Sequence, residues 1–289
     1  MNNSRMMSMT GQMSPQYYNI LFEIMEHGVT STNKRTGVKV KTLRHPWSFI
    51  LNLSNWQLPV PGNRRFWPHI AAAEVAWQVK GTQDPNFIMQ HAPKIWGKFI
   101  DEDGTLLTAY GYRWREHFGR DQLQEAIDAL RKDPTNRQVY IAAWDPGFDG
   151  LDTPNQPMNI PCPVGFSVTV IGDKVHLAVH IRSSDVFVGL PYDVMGYAYM
   201  LFAFASSLEV EPGSLHVTLA NAHIYEPHFG DAYASIDSKR TWIADHEPAV
   251  SPFDFAMIEA TPGNYVDRMK ELANKVNKHT WNPTPEVIV

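Results

Sequence analysis

Residues 159–208 read NIPCPVGFSVTVIGDKVHLAVHIRSSDVFVGLPYDVMGYAYMLFAFASSL and contain two predicted strands followed by a long apolar helix. The strands are predicted at 164–171 and 174–182, since the Gly-Asp pair between them suits a tight turn. The run 191–208 predicts the helix, because it is nearly all apolar and its proline lies near the start, a favoured position. The segments on either side of this stretch then indicate the fold class.

Helices and strands are mixed along the rest of the chain. Helices are predicted at 16–27, 69–80, 122–132 and 264–278, and strands within 37–53 and at 137–144 and 214–224. This order lacks the regular βαβ alternation of a doubly wound sheet, so an α+β fold is predicted. We expect a flexible tail at 1–15 and a single domain at 16–289.

Composition limits the classes of function. The chain has 289 residues, of which 44% are hydrophobic and 19% charged, as in a globular protein with a sizeable core. Its formal net charge of −5 argues against a general nucleic-acid-binding protein, which usually carries a basic surface. A single cysteine excludes an internal disulfide and favours a reducing compartment such as the cytoplasm. Neither a signal peptide nor a membrane-spanning segment is expected.

Several residues in the quoted stretch are candidates for chemistry. Cys162 is a potential nucleophile, although a lone cysteine is more often a buried structural thiol. Arg182 and Ser183 combine a charged donor with a small hydroxyl, a pair suited to a phosphate. Arg182 could instead form a surface ion pair with Asp185. Asp193 opens a nearly apolar helix, where an aspartate is either a helix cap or a functional carboxylate.

Other candidates lie outside that stretch. His223 and Tyr225 are two residues apart at a strand end, so they point to the same face. Glu74 lies in an otherwise apolar helix, where a buried carboxylate is costly unless it is paired or functional. Trp96 and Tyr110 belong to aromatic segments that could be ordinary core. Taken singly, none of these residues decides a function.

Together, the segments resemble the thymidylate synthase family, which includes the pyrimidine nucleotide hydroxymethylases. The resemblance rests chiefly on the PC pair at 161–162, the run RSSDVFVGLP at 182–191 and the triplet HIY at 223–225. It extends from about Tyr17 to Val289 in the same order. It implies a mixed β-sheet packed with helices, a homodimer joined through its sheets, a pyrimidine nucleoside monophosphate as substrate, methylenetetrahydrofolate as carbon donor, and no metal.

The family motif assigns roles to the reacting residues. The resemblance implies that Cys162 attacks C6 of the pyrimidine, which makes C5 nucleophilic and divides a difficult reaction into easier steps. Glu74 matches the glutamate that organises water and proton transfer near the base. Tyr110 matches the active-site tyrosine of the YG motif. His223 and Tyr225 match the pair that hydrogen-bonds the sugar 3′-hydroxyl.

The resemblance also implies a phosphate site and a folate site. Arg182 and Ser183 match phosphate-binding residues. Arg35 matches a mobile phosphate-binding arginine, and Arg137 matches one that reaches the partner subunit's phosphate. The family usually has a second arginine after Arg137, whereas this chain has Gln138. Positions that match folate contacts are Trp96, Asp185, Gly189 and the terminal carboxylate of Val289.

Asp193 is the strongest indication of which pyrimidine base the substrate carries. The synthases carry asparagine there, whose amide meets the N3–H donor and O4 acceptor of uracil. Cytosine presents an N3 acceptor and an N4 amino donor, and a carboxyl that shares one proton can meet both. Because an unpaired polar contact discriminates strongly in such a site, Asp193 favours cytosine. The deoxycytidylate hydroxymethylases carry aspartate at this position.

Two further departures argue against an ordinary thymidylate synthase: Pro163 replaces the usual histidine and Ile181 the usual glutamine. The leading hypothesis is a dCMP 5-hydroxymethylase, with Ser183 and Arg137 favouring the deoxynucleotide. A CMP 5-hydroxymethylase, a dCMP C5-methyltransferase and a dUMP-using thymidylate synthase or hydroxymethylase are the alternatives. A homologue that binds nucleotide without catalysis is disfavoured by the joint retention of the reacting residues.

Overall fold

The computed structural model describes residues 8–10, 13–34, 36–54, 56–61, 66–151 and 159–237. Arg35, Val289 and the helix predicted at 264–278 lie outside these ranges. The strands are β1 (Ser8–Thr10), β2 (Val29–Thr32), β3 (Lys39–Thr42), β4 (Trp47–Asn52), β5 (Gln57–Pro59), β6 (Tyr140–Ala142), β7 (Pro163–Ile171), β8 (Lys174–Ile181), β9 (Ser184–Asp185), β10 (Glu211–Leu219) and β11 (Ala222–Tyr225). The helices are α1 (Met13–His27), α2 (Pro68–Val79), α3 (Asn86–Met89), α4 (Pro93–Trp96), α5 (Tyr110–Tyr112), α6 (Gln122–Lys132), α7 (Leu190–Leu208) and α8 (Phe229–Asp237).

The central sheet has the strand order β4-β10-β8-β7-β6. β7 and β8 form the predicted hairpin, and Gly172 in its turn has a φ of 64°, a conformation that favours glycine. β10 lies parallel to β8, whereas the other neighbouring strands are antiparallel. The sheet is therefore mixed, and the predicted α+β fold is confirmed.

The prediction of a single strand at 214–224 is wrong, because the chain forms two strands there. β10 belongs to the central sheet, whereas β11 joins a second sheet of order β2-β3-β11-β9. Leu219 at the end of β10 and Ala222 at the start of β11 are both fully buried. Only Ala220 and Asn221, both exposed, separate them, and so short an interruption does not predict a change of sheet. The change of sheet places β11 beside β9.

Helix α7 lies in the interior because its apolar residues cover almost its whole circumference. Thirteen of its residues are buried, as expected of a helix enclosed by other elements. It packs on α2 and on the central sheet at β8 and β10. Asp193 lies in its first turn, so the helix carries this carboxyl into the interior. Neither α7 nor any other helix in the described ranges is long and apolar enough to cross a membrane.

Ordered structure begins within the segment expected to be a tail. Helix α1 starts at Met13, three residues before the predicted start, and the Met13 side chain is fully buried. Ser8–Thr10 pairs in parallel with Gln57–Pro59. Burial of Met13 against the core therefore fixes a helix start that lies before the periodic segment.

Candidate active site

Cys162 lies in the loop that leads into β7, and its backbone is bonded to two other elements. Its N–H donates to the hydroxyl of Tyr110 over 3.4 Å, and its carbonyl accepts from the N–H of Arg182 over 2.9 Å. The thiol is partly buried, with Sγ 3.9 Å from the carbonyl oxygen of Ile160. The structure therefore brings together the expected nucleophile, tyrosine and arginine.

Arg182 holds the loop of the nucleophile. Its Nε donates to the carbonyl of Pro161 over 2.8 Å and its Nη2 to that of Ile160 over 2.9 Å. The guanidinium also lies 5.5 Å from the ring centroid of Trp144, within the range of a cation–π contact. Ser183 follows directly and is partly buried. The cation is thus fixed next to Cys162 by two carbonyls and an aromatic face.

Glu74 lies on α2 and is held by an indole. Nε1 of Trp96 donates to its Oε1 over 2.6 Å, and the Trp96 ring lies 6.3 Å from that of Tyr110. Burial raises the pKa of Glu74 to about 7, although the Trp96 hydrogen bond lowers it. Its carboxyl is therefore able to exchange a proton near neutral pH.

Asp193 meets Glu74 at a cavity of about 20 Å³. Burial, followed by the nearby charges of Glu74 and Asp185, raises the pKa of Asp193 to about 8. Burial also raises the pKa of Tyr110 well above its usual value. The polar groups of its lining come from Glu74, Gln78, Tyr110, Trp114, Tyr192, Asp193 and Tyr197. The lining thus contains two carboxyls whose pKa values are both raised toward neutrality.

The two expected departures from the synthases occupy different places. Pro163 lines the cavity beside Asp193 and begins β7. Ile181 is its antiparallel partner at the end of β8, and its side chain is fully buried in the hydrophobic core. Only Pro163 therefore changes the polarity of the cavity wall directly.

Asp185 links the start of α7 to β11. Its Oδ1 accepts the N–H groups of Phe187 and Val188 over 3.1 and 3.2 Å, and burial raises its pKa. Its carbonyl accepts the N–H of Gly189 over 2.8 Å, and the carbonyl of Gly189 accepts the N–H of Asp193 over 3.1 Å. A Cβ at position 189 would lie 3.2 Å from the Asp185 carbonyl oxygen, so glycine permits this tight approach.

His223 and Tyr225 lie on the same face of β11, as predicted. Their rings meet edge to face with centroids 5.1 Å apart, and His223 Nδ1 lies 2.9 Å from Oδ1 of Asn221. His223 is opposite Asp185 in the β9–β11 pairing. Burial lowers the pKa of His223, although the charge of Asp185 raises it. The pair is thus coupled to the Asp185 end of the site.

Arg137 stands apart from this group. It is exposed just before β6, and its side chain makes no ion pair or hydrogen bond within the described ranges. Arg35 and Val289, which the sequence also assigns to ligand binding, lie outside the described residues. The remaining expected residues are connected through the loop of Cys162, helix α7 and strand β11.

Three residues that line or support the site are not evident from the motifs. Trp144 contacts Arg182, whereas Gln78 and Tyr197 line the cavity. Gln78 follows Glu74 by four residues and Tyr197 follows Asp193 by four, so helical spacing places each pair on one face. That spacing is visible in the sequence, but it becomes informative only once α2 and α7 are known to pack together.

A buried ion pair supports the loop that carries Trp144. Nη1 and Nη2 of Arg113 donate to the two carboxylate oxygens of Asp149 over 3.2 and 3.1 Å, and both side chains are fully buried. Asp149 Oδ2 also accepts the N–H of Asp145 over 2.8 Å. Arg113 begins a π-helical turn that directly follows α5. The pair therefore joins the Trp144 loop to the element that carries Tyr110.

The donor set favours covalent chemistry on an anionic ligand. Two carboxyls with raised pKa values line the cavity, and the thiol of Cys162 with its neighbouring fixed guanidinium adjoins it through Tyr110 and Pro163. In the described ranges, no group of three His, Cys, Asp or Glu side chains could hold a metal ion. A family model described as thymidylate synthase matches residues 15–251, most of the chain. Members of that family transfer a one-carbon unit to C5 of a pyrimidine nucleotide, with methylenetetrahydrofolate as co-substrate. The chain belongs to the thymidylate synthase family.

Proposed function

We propose that the protein is a dCMP 5-hydroxymethylase, which adds a hydroxymethyl group to C5 of deoxycytidylate with methylenetetrahydrofolate and water. The observation that carries this proposal is the carboxyl of Asp193 at the cavity beside Tyr110 and Glu74. Burial raises its pKa to about 8, so it holds a proton at neutral pH. A protonated carboxyl both donates and accepts hydrogen bonds, and cytosine requires both.

Asp193 matches cytosine before and after the nucleophile attacks. The protonated oxygen first donates to N3, while the other oxygen accepts from the N4 amino group. When attack at C6 makes N3 more basic, the proton moves to N3, and the resulting carboxylate accepts from two donors. With uracil, N3 already carries a hydrogen and the charge develops on O4. A protonated Asp193 can donate to that oxygen, but it has no ring nitrogen to which it can pass the proton, and once ionised it would face O4 without a donor, so cytosine is the better match.

The covalent steps follow from the positions of Cys162 and Glu74. Sγ of Cys162 bonds to C6, Asp193 protonates N3, and C5 becomes the nucleophile. Methylenetetrahydrofolate supplies the carbon, and loss of the C5 proton with release of tetrahydrofolate leaves an exocyclic methylene. Water then adds to the methylene carbon and gives its proton to Glu74. Departure of the Cys162 thiolate from C6 restores the C5–C6 double bond, and N3 returns its proton to Asp193.

Glu74 suits the role of base for the water. Its pKa of about 7 leaves a substantial fraction ionised at neutral pH while keeping it basic enough to take a proton. The hydrogen bond from Trp96 fixes one carboxyl oxygen, so the other is available to the cavity. Two neighbouring carboxyls whose pKa values are both raised toward neutrality can thus supply an acid and a base at the same pH.

The binding groups are proposed from the family motif together with their surroundings. Arg182 is fixed by carbonyls beside Cys162, which suits a phosphate held close to the nucleophile. Ser183, Arg35 and the partner subunit's Arg137 complete the phosphate site. His223 and Tyr225 bind the sugar 3′-hydroxyl. Folate contacts are assigned to Trp96, Asp185, Gly189 and the Val289 carboxylate.

A homodimer through the central sheet is also proposed. Ile50, Tyr140 and Ile171 alternate with buried neighbours on β4, β6 and β7, so they share the face away from the core. They are 61%, 55% and 67% exposed. Large apolar side chains on one sheet face indicate an interaction surface. A second copy would cover this face and would bring the exposed Arg137 close to the other subunit.

Product analysis tests the proposal. The purified protein is incubated with methylenetetrahydrofolate and, separately, dCMP, CMP and dUMP. Products are identified by mass spectrometry while absorbance reports dihydrofolate. We expect a hydroxymethyl product from dCMP without dihydrofolate. A methyl product with dihydrofolate would replace water by hydride in the last step. Product from dUMP alone would overturn the assignment of Asp193. A preference for CMP would mean that the substrate carries ribose and not deoxyribose.

A further inference from the structure

Gln78 shares the polar wall of the active-site cavity with Glu74. It follows Glu74 by four residues on α2, so the two side chains lie on the same face of the helix. A Cβ at Gly111 would lie 1.7 Å from the backbone oxygen of Gln78, so α5 packs directly on its main chain. This close packing fixes where the Gln78 side chain starts.

The amide of Gln78 has no hydrogen-bond partner among the described residues. Its side chain is partly buried and makes no hydrogen bond within the ranges that the structure describes. The indole N–H of Trp114, another lining residue, is fully buried and is likewise without an acceptor there. Polar groups in such surroundings are costly unless water or a ligand satisfies them. The cavity therefore offers hydrogen-bonding groups that the described protein does not use.

The size of the cavity suits one water molecule. Its volume is about 20 Å³, and a site needs roughly 10–15 Å³ and two to four polar partners to hold a water. Gln78, Glu74, Asp193 and Tyr197 supply amide, carboxyl and hydroxyl groups around it. Pro163, on the same wall, has no N–H and no polar side chain. The amide of Gln78 is thus a neutral donor that does not titrate and that shares a helix face with Glu74, whereas the indole N–H of Trp114 belongs to another element.

We propose that Gln78 is a positioning residue that holds the water added to the exocyclic methylene. This inference rests on the proposed hydroxymethylase function. The Gln78 N–H donates to the water oxygen, and the water donates one hydrogen to Glu74. A second lone pair of the oxygen is then free to bond to the methylene carbon. As that bond forms, the proton passes to Glu74, the methylene electron pair moves into the ring, and the Cys162 thiolate leaves.

A neutral amide fits this task better than a charged group. A carboxylate at position 78 would lie near Glu74 and Asp193 and would raise their pKa values further by repulsion. An alkyl group would leave the water with fewer partners than it needs. Glutamine adds a donor without changing the charge of the site, which keeps the acid and the base distinct.

The test separates the water step from the earlier covalent steps. Variants Gln78→Leu and Gln78→Glu are compared with wild type for turnover of dCMP. They are also compared for the covalent adduct with 5-fluoro-dCMP and methylenetetrahydrofolate. Because C5 of this analogue carries fluorine instead of hydrogen, it has no proton to lose, so the adduct stops before water is needed. Gln124→Leu, an exposed glutamine on α6, is the matched control.

For Gln78→Leu we expect kcat for the hydroxymethyl product to fall about tenfold or more, because one hydrogen bond is lost in the transition state. The rate of adduct formation should stay within about twofold of wild type. For Gln78→Glu, which preserves size, we expect the acidic limb of the pH profile to move to higher pH. Gln124→Leu should match wild type in both assays.

Unchanged turnover in Gln78→Leu together with an unshifted profile in Gln78→Glu would overturn the role of Gln78 while leaving the proposed function intact. Parallel loss of adduct and turnover in both variants would also overturn it, because the residue would then act on binding or folding. A wild-type protein that forms no hydroxymethyl product would remove the proposed function itself, and the inference with it.

Discussion

The molecule contains two groups of buried or partly buried carboxyls, and their partners differ. Near the Trp144 loop, Asp149 is paired with both terminal nitrogens of Arg113, and Asp145 pairs with Nε2 of His117 at 2.7 Å. Within the described part of the chain, Glu74 at the cavity accepts only the neutral indole N–H of Trp96. The side chain of Asp193 accepts no hydrogen bond from any residue that the structure describes. The first group faces basic side chains, whereas no basic side chain in the described ranges bonds to the second.

The pKa values follow this difference. The hydrogen bond from His117 lowers the pKa of Asp145, so that carboxyl is charged over the physiological range. Burial raises the pKa of Glu74 to about 7 and that of Asp193 to about 8. Uncompensated carboxyls disfavour the folded state once they ionise, and such groups cluster at functional sites. The comparison therefore assigns the paired group to stability and the unpaired group to chemistry.

Replacing Cys162 with serine should produce the largest effect and tests the chemical half of this comparison. We expect turnover of dCMP to fall by at least about 10⁴-fold, because a serine hydroxyl is a far weaker nucleophile than a thiolate. Nucleotide affinity and melting temperature should change little, since serine differs from cysteine by one atom and the 3.9 Å contact of Sγ with the carbonyl of Ile160 is a long one. Steady-state kinetics, calorimetric titration with dCMP and thermal melting measure the three quantities. Turnover that survives the change would contradict covalent attack by Cys162.

Replacing Arg113 with methionine tests the paired group. The change leaves Asp149 buried without its cation, and we expect a loss of about 3–5 kcal/mol in the free energy of unfolding. Denaturant unfolding followed by circular dichroism measures it. The matched control is Arg120→Met, which breaks the exposed ion pair with Glu125 and should cost at most about 1 kcal/mol. Equal losses in the two variants would show that burial does not distinguish the pairs.

The sequence predicted one of these groups far better than the other. Glu74 and Asp193 were identified because a carboxylate in an apolar helix breaks the local pattern, and the family motif gave each a role. Arg113 and Asp149 lie in polar, aromatic-containing segments where nothing marks them as buried. Their pairing depends on a contact between residues 36 positions apart, which periodicity does not reveal.

Local chemistry also explains which parts of the fold were predictable. The hairpin β7–β8 and helix α7 follow from turn residues and apolar runs that are short-range signals. The separation of β10 from β11 does not, since buried residues continue on both sides of Ala220 and Asn221. Gln78 was missed for a similar reason: its relation to Glu74 is local, but the cavity arises from the packing of α2 on α7.

Replacing Asp193 with asparagine should sharpen the comparison by removing one unpaired carboxyl while keeping its shape. We expect the ratio of kcat/KM values for dCMP and dUMP to shift toward dUMP by about 10- to 100-fold, because the amide presents a fixed donor that suits O4. Competition between the two nucleotides with mass-spectrometric product analysis measures the ratio. An unchanged ratio would mean that another contact reads the base.

The smallest expected effect is on the pH dependence of stability, and its sign differs between the groups. An unfolded carboxyl has a pKa of about 4, so with folded pKa values of about 7 and 8 the native state binds more protons over the interval between. Stability attributable to Glu74 and Asp193 therefore falls as pH rises toward 8. The lowered pKa of Asp145 has the opposite consequence, because its contribution is lost as pH falls. In melting curves of the ligand-free protein, Asp193→Asn should flatten the decline between about pH 6 and pH 8 by roughly 1 kcal/mol. This is below the ceiling of about 2.7 kcal/mol that about 1.36 kcal/mol per unit gives over two pH units, because the side chain keeps some contact with solvent. Asp145→Asn should leave that decline in place and weaken the loss at acidic pH instead. If both variants altered the same limb, the division into a stabilising pair and a chemical pair would fail.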